Sequence, residues 1–75
     1  MKAPTTLYEA HDLVLAQRPK LAEAPAVWVT YHRLAAEVYA HVAKVDTNHQ
    51  HEAQYLAGRE IREARTIEDR INGLR

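Results

Sequence analysis

The chain has 75 residues, with ten Lys plus Arg set against ten Asp plus Glu, and the two signs balance in each half. There is thus neither a basic arm to grip nucleic acid nor an acidic tail. Cys and Ser are both absent, which excludes disulfides, thiolate metal sites and the two commonest nucleophiles.

Of 35 hydrophobic residues 13 are Ala and none is Phe, a supply that suits thin, closely packed helices better than a thick core. A chain this short buries only about 60% of its unfolded surface, so one domain needing a partner is expected. Met1-Lys2-Ala3-Pro4 leads into Glu9 and Asp12, too polar for a secretory signal. No apolar run approaches the roughly 18 residues of a membrane span, and the expected setting is the cytoplasm, with no membrane contact. Seven Arg to three Lys, with so much Ala, suggest a GC-rich coding sequence, as in actinobacteria or their phages.

The first element is set by Thr6-Leu7-Tyr8-Glu9, which has the form of a capping box: the Thr hydroxyl and the Glu carboxylate satisfy amides that a helix start leaves unpaired. Pro19 biases Arg18 away from helical geometry. A short helix over about 7–17 follows, with Leu7, Ala10, Val14 and Leu13 on its buried side.

Pro25 suits a first helical turn, where its missing N–H does no harm, and a second helix is expected over 25–45. Val27, Tyr31, Leu34, Val38, Val42 and Val45 recur at spacings of three and four, which predicts one buried face; Trp28, Ala35 and Tyr39 widen it. Asp46, Thr47 and Asn48 then mark a turn, with Thr47 and Gln50 as a second capping box. A third helix over 49–72 ends at Gly73 as its C-terminal cap. The rival reading is one unbroken helix from Pro25 to Asn72, since no Gly or Pro interrupts the junction.

Small residues favour the hairpin. Ala36, Ala40 and Ala43 on one side of the turn oppose Ala53, Ala57 and Ala64 on the other, and facing Ala lets two helices approach at the short end of the 8–10 Å range. Gly58 is expected to serve the same closeness. Past it, Ile61, Ala64, Ile67, Ile71 and Leu74 continue an apolar face, while Arg59 with Glu63 and Arg65 with Asp69 are spaced as i,i+4 ion pairs. The short first helix cannot cover all of this, so the fold expected is all-α: a short N-terminal helix plus a long helical hairpin, assembling into an oligomeric bundle, most simply a homodimer.

For function, the residues point to binding rather than catalysis. Val27, Trp28, Tyr31, Leu34, Val38, Tyr39, Val42, Ile61, Ile67 and Ile71 form the expected bundle or partner face, with Trp28 as anchor because Trp, Tyr and Arg are enriched at binding hot spots. Trp28 equally suits a cap over the open end of the bundle. The role expected is a small assembly or adaptor protein, or a regulator or inhibitor seated on another protein.

Two alternatives stand beside it. Arg59, Arg62 and Arg65 make a short ridge that could meet phosphates, though Glu60, Glu63, Glu68 and Asp69 interleave with it. His41, His49 and His51 with Glu37 and Glu52 are the one set that could bind a metal, at poor spacing and without the Glu-x-x-His motif of di-iron bundles. Pairs such as Glu37 with His41 or His32 with Tyr31 could exchange protons, but no nucleophile or glycine-rich phosphate loop accompanies them. No catalytic residue, resident metal or cofactor is assigned.

Overall fold

The computed structural model describes residues 3–73. Three helices follow one another: α1 (Leu7–Ala16), α2 (Pro25–Val45) and α3 (Gln50–Ile71), the last two joined by a 3₁₀ turn over Thr47–His49. The chain is therefore a helical hairpin with a short N-terminal helix laid against it, and no strand occurs among the described residues. None of these helices is long and apolar enough to cross a membrane.

Local chemistry accounts for most of the boundaries. Thr6 is extended and its Oγ1 accepts the Glu9 N–H at 3.1 Å. The Glu9 carboxylate reaches back to the Thr5 N–H at 3.0 Å, one residue short of an ideal box, and that amide, followed by the Thr5 hydroxyl, holds the carboxyl below its ordinary pKa. Pro25 opens α2 in its first turn. Gly73 takes φ +72°, the left-handed geometry that a β-carbon would disfavour at a helix C-terminus.

The hairpin turn departs from expectation. No side-chain bond caps either the 3₁₀ turn or α3, so Thr47 and Gln50 form no capping box. Asp46 is engaged elsewhere: its Oδ2 accepts the Leu7 N–H at 2.8 Å and meets His49 Nδ1 at 2.9 Å. One carboxylate thus satisfies an amide that the start of α1 leaves unpaired and pins that end of α1 to the hairpin turn. The Leu7 amide first, then His49, lower its pKa.

From there α1 runs antiparallel to α2, with His11 reaching Tyr39 and Arg18 reaching Trp28. The core collects Leu7, Ala10 and Val14 from α1, Tyr31, Ala35, Tyr39, Val42 and Ala43 from α2, and Ala53 and Ala57 from α3. Val42 is its one large side chain with no exposure. The molecule is correspondingly thin, 40 × 24 × 15 Å, with a radius of gyration of 13.0 Å against the roughly 11 Å of a compact chain of this length.

The buried face of α2 is only partly the one the aliphatic spacing predicts: Tyr31 and Val42 of that stripe, with Ala35 and Tyr39 beside it, are buried, but the face turns away from the rest. Val29, Tyr31, Ala35, Ala36, Tyr39, Val42 and Ala43 are buried, and at about 100° per residue their mean direction lies roughly 100° round the helix from the Val27–Val45 stripe. Val27, Leu34 and Val45 are 41%, 50% and 47% exposed, and Val38 is half-buried. Ala36, Ala43, Ala53, Ala57 and Ala64 are buried together with Val29 and Val42, and small side chains of this kind let two helices approach closely.

Candidate functional site

Two surface features gather the residue types that could do something. The first is a cleft where the three helices converge, lined by His11, Arg18, Tyr31, His32, Tyr39 and Glu60 among others. His11 Nδ1 and the Tyr39 hydroxyl share a hydrogen bond of 2.8 Å, with their rings edge to face at 5.5 Å. His32 Nδ1 lies 3.3 Å from Glu60 Oε1, both side chains well shielded. The Arg18 guanidinium stands 5.6 Å from the Trp28 ring centroid. Burial, and then the Glu60 charge, raise the Tyr31 and Tyr39 hydroxyls above their ordinary pKa.

These contacts join α1 to α2 and α2 to α3, and no buried side-chain N or O among the described residues lacks a partner. Paired groups such as His11 with Tyr39 and His32 with Glu60 fix helix positions more readily than they offer a free group to a substrate. His32 pairs with Glu60, not with the Tyr31 hydroxyl that the sequence sets beside it, although the two rings stand 5.1 Å apart. His11 and its partner have no local signature, because 28 residues separate them.

The second feature is a trough along the outer side of α1 and α2. Leu13 and Gln17 of α1 form one wall and Leu34, Glu37, Val38 and His41 of α2 the other, enclosing about 340 Å³. It continues past Gln17 and Leu34 towards Pro19, Val27 and Thr30. Here the exposed aliphatics of α2 lie beside an apolar groove instead of standing alone.

The remaining residues singled out by sequence are distributed differently. Trp28 is half-buried and packs edge to face on Tyr31 at 5.7 Å. It borders a depression with Leu21, Pro25, Ile67 and Ile71 at the open end of the hairpin. Ile61 and Ile71 are about half exposed, while Ala36, Ala43, Ala53, Ala57 and Ala64 are buried. Ala40 is exposed: it lies about 60° round the helix from Ala43, outside the seam. Gly58 does not serve close packing either, since an added Cβ would meet only its own helix's Arg62 side chain, at 3.4 Å.

Charged groups follow the hairpin, not the single helix. Neither Arg59–Glu63 nor Arg65–Asp69 pairs among the described residues; Arg33 instead bridges α2 to α3 through Glu68. Arg59 lines the three-helix cleft, and Arg62 and Arg65 follow at i,i+3 spacing, each about 60° further round α3. No three of His, Asp and Glu among the described residues gather to hold a metal ion. Glu37 and His41 lie in the trough, His49 is on Asp46, and His51 and Glu52 border a separate depression. No family model, curated protein or solved structure matches the chain.

Proposed function

We propose that this protein is a non-enzymatic helix-docking module, a small assembly or regulatory component that receives the apolar face of another helix along the trough between α1 and α2. The observation that carries the reading is that Val27 and Leu34 stay 41% and 50% exposed along one line of α2 where they border the trough. Aliphatics in register beside a groove are what a helix-in-groove partner reads, at i, i+3, i+4 and i+7. Their counterpart is a helix with its own line of Leu or Val.

Two matched variants test it. Leu34 lies in the trough and Leu21 outside it, and both are largely exposed, so Leu34→Asp and Leu21→Asp should each keep the helical circular dichroism of the parent. Sedimentation is then measured for the chain alone and with a synthetic peptide carrying Leu at every heptad a and d position. Leu34→Asp should abolish the association and Leu21→Asp should leave it intact. Equal behaviour of parent and both variants would overturn the reading.

A further inference from the structure

We infer that the helix this trough receives is a basic one: an amphipathic helix of another protein whose Leu or Val line is flanked by a Lys or Arg set to meet Glu37. The inference rests on the docking reading and gives its partner a charge.

The trough is apolar with a single full charge. Leu13 and Gln17 on the α1 wall are neutral, as are Leu34 and Val38 on the α2 wall. Where the groove continues, Pro19, Val27 and Thr30 add no charge. Only Glu37 is formally charged at neutral pH, and no Lys or Arg lines either stretch.

The fold makes no use of that charge. Glu37 is exposed and forms no ion pair among the described residues. Arg33 stands one turn back on α2, at the spacing from which a carboxylate can be reached, but it is taken across the hairpin by Glu68. Lys44 lies seven residues on, about 10 Å along the helix. A carboxylate left unpaired beside an apolar groove discriminates among the helices that could enter it. It repels one that brings Asp or Glu level with it and attracts one that brings Lys or Arg.

Its height in the groove fixes where that cation belongs. Glu37 follows Leu34 by three residues and precedes His41 by four, so the three stand on successive turns of the α2 wall. A partner that seats an apolar residue against Leu34 brings its flanking position one turn away level with Glu37. In a heptad helix the positions flanking the apolar line are e and g.

Two synthetic peptides test this. Both carry Leu at every a and d position; one has Lys at e and g, the other Glu, and like charges there keep each peptide from pairing with its own copies. At about pH 8 and low salt, imidazole is neutral and screening is weak. The parent should then bind the Lys peptide about two- to tenfold more tightly than the Glu peptide, the size of one exposed ion pair gained and one like-charge contact avoided. The chain has no net charge, so the preference has to come from local groups. Glu37→Gln should abolish it and Glu37→Lys should reverse it. Glu52→Gln, the same change at an exposed site beside a separate depression, should leave it unchanged.

Equal binding of the two peptides by the parent, or a preference that survives Glu37→Gln, would overturn the basic partner and leave the docking reading standing. Self-association of the parent that Leu34→Asp abolishes would put a second copy in the trough and overturn it too. Binding of neither peptide would overturn the docking reading, and this partner with it.

Discussion

The two sides of α2 differ in burial more than in residue size: large apolar side chains stand on both. Inside it buries Val29, Tyr31, Tyr39 and Val42 among Ala35, Ala36 and Ala43, while Val27 and Leu34 beside the trough, and Val45 in line with them, are all more than two-fifths exposed. Apolar area alone would place the larger side chains inside. The buried Ala residues let two backbones approach closely, and Val29 and Val42 are buried among them. The exposed aliphatics are then free for an outer contact.

The contrast breaks most visibly with one charge placed on each side. Val42 has no exposed surface, so Val42→Asp buries a carboxylate without a partner and should abolish folding. Leu34→Asp on the outer side should leave the stability of the isolated monomer within about 0.5 kcal/mol. Helical circular dichroism at low concentration separates them, and two equally unfolded variants would mean that the outer side is core after all.

The second test adds bulk. Ala53 is fully buried in the seam, so Ala53→Leu should push α3 away from α2 and cost about 1–3 kcal/mol in denaturant unfolding. Ala40→Leu, at an exposed position on the same helix as the trough, should be close to neutral. A neutral Ala53→Leu would show that the hairpin does not depend on close approach.

Much of this architecture could be read from the sequence where the determinants are local. Thr6 with Glu9, Pro19 and Pro25 place the ends of α1 and the start of α2 to within a residue, because caps and prolines act on their own neighbours. The facing Ala residues anticipate the hairpin. What the periodicity could not show is how far the buried face turns from the aliphatic stripe, keeping Tyr31 and Val42, taking in Val29, Ala36 and Ala43 and leaving Val27, Leu34 and Val45 out, since Val and Leu outweigh Ala on any hydropathy count. Contacts such as Asp46 with Leu7 or His11 with Tyr39 join residues far apart in sequence, and no spacing rule anticipates them.

Asp46 gives a smaller, pH-dependent test of how α1 is held to the hairpin. Its carboxyl is lowered chiefly by the Leu7 amide, so the unfolded chain takes up this proton first as pH falls. The stabilisation is whole above the unfolded value near pH 4 and is lost as pH falls through the lower folded value. Asp46→Asn keeps an acceptor oxygen without the charge. It should lower Tm at neutral pH and flatten the fall of Tm between about pH 5 and pH 3. Glu9, lowered by Thr5, should leave a residual slope of the same sign, and an unchanged acid profile would show that Asp46 does not hold α1 in solution.

The smallest expected effect concerns Gly58, in the middle of α3. Its backbone is not in the left-handed region, so the conformational freedom of Gly is unused in the fold and only the entropy it forfeits on folding remains. The one neighbour of an added Cβ is the end of the flexible Arg62 side chain at 3.4 Å, which can swing aside. Gly58→Ala should therefore stabilise the monomer by about 0.5–1 kcal/mol, seen as a higher denaturant midpoint at unchanged slope. Because the position lines neither end of the trough, the variant should shift stability without shifting association with the heptad peptide. Destabilisation instead would mean that something approaches this face of α3 closely, and would move part of the contact surface there.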